Sequence, residues 1–214
     1  MDCLSASSPH LWLDGRGEQI ELEWPDPLFP MVIVNMGSGV SCIRVDHTGP
    51  GGYERVGGTA CGGATFLGLC KLLTSAQTFE EALELAEHGD SSRVDKLVGD
   101  IYGTSGCVDL GMPATHTAAN FGKLVSKDAR RRIHEEDLAR STLQMVVQAS
   151  VVVAKAHMMA AGAQHVFFVG GFLENNMLAH SIIAHNMRSV HATACFLKHA
   201  DFLGALGSLR QGIE

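Results

Sequence analysis

Residues 31–69 read MVIVNMGSGVSCIRVDHTGPGGYERVGGTACGGATFLGL, and this stretch decides the fold. The apolar run Met31–Asn35 predicts a strand buried on both faces. It breaks at Gly37-Ser38-Gly39, and a second, alternating run, Ser41–Val45, pairs through the HTGPGG turn with Tyr53–Val56, which carries Arg55. A second glycine cluster, GGTACGGATF, then opens directly into a helix over Gly63–Leu73. Glycine, having no Cβ, lets backbone N–H groups approach a polyanion closely. Two such breaks in order, with Ser38, Ser41 and Arg55 between them, point to a nucleotide held by its phosphates between hairpin and helix.

Working outward, each feature also has a plainer reading. Gly37-Ser38-Gly39 can be a tight turn in which glycine supplies only positive φ. Arg55 can clamp a phosphate or carboxylate in bidentate fashion, or pair with Glu54 or Asp46 on a solvated strand. Gly57-Gly58-Thr59 and Gly62-Gly63-Ala64-Thr65 precede a helix N-terminus that favours an anion, and they also allow helix to pack closely on strand. Gly170-Gly171, after the run Val166–Val169, repeats the strand–glycine logic; it can receive a nucleobase face or form a simple strand-to-helix turn.

The chain has 214 residues, enough for one large domain or two small lobes, and 46% hydrophobic against 18% charged residues predicts a packed core. Sixteen basic against 23 acidic residues leave a net charge of −7, and the densest basic run, Arg130–Arg132, lies beside Glu135, Glu136 and Asp137, so no nucleic-acid surface is expected. The six cysteines form no CxxC pair and Met1–Trp12 lacks the pattern of a secretory signal, so reduced thiols in a cytoplasmic protein are expected, with a nuclear or organellar pool as the alternative. Val146–Ala161 is the longest apolar stretch, but Gln148, Lys155 and His157 make it too polar for a membrane span. The eleven histidines are dispersed, with no HExxH and no Cys/His set, so no metal ligands are assigned.

Residues 1–30 differ from the rest, with both tryptophans and four of the six prolines; they predict a helical or irregular stub, one strand at Gln19–Glu23 and a Pro-rich lead-in. Further on, the TFEE string at Thr78–Glu81 is a capping box opening a helix to about Glu87. Ser91 or Ser92 caps another helix to about Tyr102, and Gly103–Thr117 is loop. Glu135–Ala161 has the apolar spacing of one long helix, with acids at its N-terminus complementing the dipole. A helix from about Asn175 and a last one over Phe202–Arg210 follow. Strand, hairpin, helices, long helix and strand–Gly-Gly–helix make an α/β chain with nucleotide-style junctions.

In this order the strings VNMGSGVSCIRV, YERVGGTACGGATFLGLCKLLT, TFEEALELAEHGDSSRVDKLVGDIYG, FGKLVSKDARRRIHEEDLARSTL, VFFVGGFLENN and FLKHADFLGALGSL resemble the eukaryotic-type (type II) pantothenate kinases, a family of the actin/hexokinase superfamily. The resemblance implies an RNase H-like C-terminal lobe over residues 31–214, with a strand–Gly-turn–strand phosphate hairpin, a long helix from Glu135 in a homodimer interface, and residues 1–30 as the remnant of a preceding lobe. It implies ATP-dependent phosphorylation of pantothenate, the first step of coenzyme A synthesis, with Mg²⁺ carried by the nucleotide and acetyl-CoA or another acyl-CoA as inhibitor. By the same resemblance Ser38 contacts nucleotide phosphate or CoA, and Ser41 and Arg55 hold pantothenate or the competing acyl-CoA. Gly37, Gly39, Gly62, Gly63 and Thr65 line the phosphates, Gly170 and Gly171 lie near adenosine, and Thr117 and Ala118 reach a partner subunit's pantothenate site. The family's catalytic glutamate falls immediately before Met1, as does the Gly-rich, Lys-bearing loop of the first lobe, so no catalytic base is assigned and the chain is expected to be a fragment. The alternative is an inactive CoA-binding regulatory partner of a full-length kinase. Ala64 and Asp201 stand where the family usually has glycine, and Arg188–Cys195 is shorter than the family segment and lacks its aromatics.

Overall fold

The computed structural model describes residues 9–12, 19–21, 24–130, 132–188 and 192–197. They form nine strands: β1 (Pro9–Trp12), β2 (Gln19–Glu21), β3 (Met31–Met36), β4 (Val40–Val45), β5 (Tyr53–Thr59), β6 (Lys96–Leu97), β7 (Thr117–Ala119), β8 (His165–Val169) and β9 (Thr193–Leu197). Six α-helices accompany them: α1 (Gly63–Leu73), α2 (Phe79–His88), α3 (Gly99–Tyr102), α4 (Lys127–Arg130), α5 (Glu135–Ala161) and α6 (Met177–Arg188). The chain divides into two compact units, residues 1–65 with 147–214, and residues 66–146.

The first unit is built on a seven-stranded sheet in the order β2-β1-β9-β8-β3-β4-β5. Its centre, β9-β8-β3, is parallel, and antiparallel pairs flank it on both sides. Residue parity then decides what each face carries. Met31, Ile33, Ile43, Val45, Phe167 and Cys195 share one face, covered by Trp24, Leu28 and Phe29, with Trp24 stacked on Phe167 at 5.8 Å between ring centroids. Val32, Val34, Met36, Cys42, Val166 and Phe168 occupy the other face and are fully buried. Phe168 stacks on Phe196 at 5.9 Å, and His180 of α6 lies 4.4 Å from the Phe196 ring, where burial pushes its imidazole down to about 4.

The hairpin, α1 and α5 stand where the sequence predicts them. The N-terminal stretch differs: Pro9–Trp12, expected as a helical or irregular stub, is a strand paired on both sides, with Gln19–Glu21 and with β9. That pairing joins residues about 185 apart in the chain, such as His10 and Phe196, so it leaves no local period to read. The expected helix Phe202–Arg210 and residue Asp201 lie outside the described residues.

In the second unit the Thr78 hydroxyl accepts the Glu81 N–H at 3.2 Å and the Glu81 carboxylate accepts the Thr78 N–H, completing the expected capping box. The helix expected from Ser91 to Tyr102 is broken instead. Asp90 caps only a single 3₁₀ turn, Ser91–Arg93, and β6 follows. The break lies at Asp95, which is fully buried and accepts the Phe121 N–H at 2.8 Å and the Ser141 hydroxyl, pinning the β7 loop and α5. Burial pushes the Asp95 carboxyl up, against the pull of those donors. At the start of α5, Glu135 accepts the Ser75 N–H at 2.6 Å and Asp137 the Asp90 N–H at 2.9 Å, so these acids fasten neighbouring loops as well as facing the dipole.

Helix α5 is long and apolar enough to cross a membrane by length and composition, contrary to the expectation drawn from its polar residues. Its buried apolar residues, Ala139, Leu143, Val146, Val147, Val151, Ala154 and Met158, fall at helical spacing, and Asp137, Ser141, Thr142 and Ser150 are buried with them. That stripe accounts for its composition as one buried face of a packed helix.

Candidate functional site

The β3–β4 hairpin and β5 enclose an open cavity of about 510 Å³, lined by Asn35, Gly37–Ser41, Arg55 and Gly58–Ala60, all of the first unit. Its position follows from the sheet. β3 and β8 are parallel and both end here, and ligands of open α/β sheets sit outside the carboxyl ends of such strands. The apolar row of one face, Met31 and Ile33 on β3 with Val45 and Ile43 on β4, ends in a polar pair, Asn35 opposite Ser41.

A β-bulge brings Arg55 to this pair. Cys42 pairs with Gly57 but Ile43 pairs with Arg55, so Val56 is one residue in excess on β5. In an unbroken ladder Arg55 would stand opposite Arg44 and face the other side of the sheet. The extra residue moves it onto the Ser41 face, the re-aiming that bulges commonly perform. Arg55 Nε donates to Ser41 Oγ at 2.9 Å, and Arg55 is exposed and lines the cavity. Arg44, by contrast, takes the ion pairs with Asp46 at 3.0 Å and Glu54 at 3.5 Å that a solvated-strand reading would give to Arg55. Behind the site, burial pushes the Cys42 thiol up although the charge of Arg55 pulls the other way. The Cys61, Cys70 and Cys195 thiols are likewise raised by burial, which leaves them protonated and poor nucleophiles.

The glycines separate into two kinds. Neither Gly37 nor Gly39 has positive φ, so the turn does not use the conformational freedom of glycine. A Cβ on Gly39 would press to 3.3 Å on the Thr59 carbonyl oxygen, whereas a Cβ on Gly37 would meet nothing within 4 Å. Among the described residues, nothing around Gly37 requires glycine there. Gly171 is the same, exposed and with open space around it. Gly170 is required by the fold: its φ is +109°, and a Cβ would run into the Met36 carbonyl oxygen and lie 2.5 Å from Asn35 Oδ1.

The second glycine cluster packs on the first. Gly63 N–H donates to the Gly37 carbonyl at 2.8 Å and Ala64 N–H to the Ser38 carbonyl at 3.1 Å, while a Cβ on Gly62 would lie 2.6 Å from Gly39 Cα. Thr65 Oγ1 donates to the Ala60 carbonyl at 3.1 Å and accepts the Gly62 N–H at 3.3 Å. These groups brace the loop, and the amides of Gly62, Gly63 and Ala64 are already engaged. Ala64 is exposed, has no positive φ and starts α1 without strain.

The structure thus gathers Gly37, Ser38, Gly39, Ser41 and Arg55 around one cavity, with Gly62, Gly63 and Thr65 supporting it and Gly170 beside Asn35. Thr117 and Ala118 lie on β7 in the second unit, paired with β6. Asn35 was not singled out by the sequence; its signal is the polar break in MVIVNM just before the first glycine. Among the described residues no group of three His, Cys, Asp or Glu side chains is arranged to hold a metal ion.

Comparison with known proteins bears on this geometry. Residues 12–211 match the profile of the Fumble family. The chain is 43% identical over 201 residues to "Pantothenate kinase 1" of Arabidopsis thaliana, covering 92% of this chain and 52% of that protein. It is 37% identical over 187 residues to "Pantothenate kinase" of Schizosaccharomyces pombe, covering 84% of this chain and 45% of the relative. "Pantothenate kinase 2" of Oryza sativa subsp. japonica matches at 37% over 222 residues, 97% of this chain and 24% of its own length. The chain therefore spans about half or less of the relatives it matches. In structure it is similar to the ligand-bound xylulose kinase from Lactobacillus acidophilus, with TM-score 0.53 and 16% identity, over 86% of this chain and 39% of that one. That likeness shows an α/β fold of the actin/hexokinase type.

Proposed function

The chain belongs to the Fumble family of type II pantothenate kinases, and from that premise we propose that it supplies the pantothenate- and nucleotide-handling lobe of an ATP-dependent pantothenate kinase. The reaction moves the terminal phosphoryl group of ATP to the primary hydroxyl of pantothenate, giving 4′-phosphopantothenate and ADP at the opening of coenzyme A synthesis. The observation that carries the reading is the cavity itself, which sets an Arg55–Ser41 pair at 2.9 Å against a glycine loop whose Gly37 leaves open space.

The division of labour follows from chemistry. Arg55 offers a fixed fork to an anionic group, the pantothenate carboxylate or the phosphates of a competing acyl-CoA, and Ser41 fixes the fork by accepting from Nε. The Gly37-Ser38-Gly39 loop receives the phosphate chain, and Gly171 leaves room for the adenosine side. Phosphoryl transfer is mostly positioning and charge stabilisation, which such a site supplies. Among the described residues no carboxylate lines the cavity; Mg²⁺ would come held by the phosphates of ATP, and the lining residues named here would bind and orient substrates. The chain acts as a homodimer in which α5 lies at the interface and Thr117 and Ala118 serve the partner subunit's site. Free thiols at Cys42, Cys61, Cys70, Cys107 and Cys195 suit a cytoplasmic location.

The test is titration of the chain with pantothenate and with acetyl-CoA by calorimetry. Saturable binding of both, competition between them, and loss of both in Arg55→Ala support the reading. A folded chain that binds neither overturns it.

A further inference from the structure

We propose that Asn35 is a phosphate-contacting residue of this site, its carboxamide donating to an oxygen of the terminal phosphoryl group of the bound nucleotide; this rests on the kinase reading above. Four observations converge on it. Asn35 is the one exposed residue of β3, whose other members are buried or half-buried, and it lines the cavity. It stands in register with Ser41 across the β3–β4 pair, so Asn35, Ser41 and Arg55 form a polar row over three adjacent strands on one sheet face. Among the described residues its carboxamide has no hydrogen-bond partner. Finally, the absence of a Cβ at Gly170, which would lie 2.5 Å from Asn35 Oδ1, keeps the space this side chain occupies.

The residue type points to the ligand. Asparagine is disfavoured in strands, and the row it ends, Met31 and Ile33, is otherwise apolar, so the strand does not call for it. The place is the carboxyl end of a parallel strand pair, Asn35 beside Val169, immediately before the Gly37-Ser38-Gly39 loop. A carboxylate here would repel a polyphosphate. A carboxamide donates an N–H without adding negative charge, and a hydrogen bond to a charged oxygen is among the stronger kinds. Arg55 and Ser41 serve the acceptor substrate from β4 and β5; Asn35, one strand further toward β8, serves the donor.

The experiment compares the chain with Asn35→Asp and Asn35→Ala, titrating each with ATP, with and without Mg²⁺, and separately with pantothenate, and recording thermal unfolding. Asn35→Asp is close to isosteric, so its fold is retained. The expected result is a loss of ATP affinity of roughly 10- to 100-fold in Asn35→Asp and a smaller loss in Asn35→Ala. Pantothenate affinity falls by a smaller factor than ATP affinity, since Arg55 and Ser41 keep their own 2.9 Å hydrogen bond without Asn35. Unchanged ATP affinity in Asn35→Asp overturns the inference. So does tighter ATP binding that appears only with Mg²⁺, which would make the position a metal-side one, and so does a parallel loss of pantothenate, which would mean general distortion. If the unsubstituted chain binds neither ATP nor pantothenate, the kinase reading falls first and the inference with it.

Discussion

Gly37→Ala separates what the fold needs from what the ligand needs. A methyl at this position meets nothing within 4 Å, and the backbone is outside the left-handed region. Replacing glycine by alanine where the conformation already suits alanine stabilises a protein by about 0.4–1 kcal/mol, through the entropy of the unfolded chain. For a chain of 214 residues that corresponds to a rise in Tm of about 1–4 °C. The same methyl projects into the cavity where the phosphate chain is proposed to lie. Pushing one phosphate oxygen out of hydrogen-bond range removes about 1.5–3 kcal/mol, roughly a 10- to 100-fold loss of ATP affinity. Thermal unfolding and ATP titration of one preparation read both quantities. Gly170→Ala is the control with the opposite signature. It forces alanine to φ +109° and into the Met36 carbonyl, so it is destabilised by at least about 1–3 kcal/mol from backbone strain alone. A fall in Tm for Gly37→Ala, or undiminished ATP affinity, would refute the reasoning.

Other outcomes follow from particular contacts. Arg55→Lys keeps the charge but loses the Nε donor to Ser41; pantothenate and acetyl-CoA affinities, measured by calorimetry, fall roughly tenfold, with Tm unchanged. Thr78→Ala removes the N-cap of α2 and costs about 1 kcal/mol, read as a fall in Tm of about 2–4 °C. His180 is held neutral, its pKa lowered from 6.5 to about 4 by burial. The unfolded chain therefore binds the proton first, so stability is complete above pH 6.5, declines as pH falls through the interval and levels off below about 4. The loss amounts to up to about 3 kcal/mol. Urea unfolding across that interval should show the slope, and His180→Gln should flatten it.

The parts of this architecture that were legible share a local cause. The hairpin follows from alternation closed by a glycine turn, and α5 from apolar spacing sustained over 27 residues. The α2 cap follows from two side chains three positions apart. What was not legible depends on partners far along the chain. The strand Pro9–Trp12 exists because β9 pairs with it, and nothing in PHLW announces β9. The break after Arg93 exists because Asp95 turns inward to Phe121 and Ser141, 26 and 46 residues away, where tertiary bonding overrides helix spacing. The site divides the same way. Ser38, Ser41 and Arg55 stood out beside glycines, although only the bulge at Val56 explains how Arg55 comes to face Ser41. Asn35 could not be placed until the parity of β3 showed that it shares their face. The roles of the glycines also needed coordinates, since sequence does not distinguish Gly37, free of any steric demand, from Gly62 and Gly170, which neighbouring backbone requires.

The central claim is that the cavity between the β3–β4 hairpin and β5 is where pantothenate and ATP meet. A crystal structure of the chain with pantothenate and a non-hydrolysable ATP analogue tests it most directly. The account predicts the phosphate chain against Gly37-Ser38-Gly39 within reach of Asn35, and the pantothenate carboxylate on the Arg55 guanidinium beside Ser41. Ligand density elsewhere, with this cavity filled only by solvent, would contradict it.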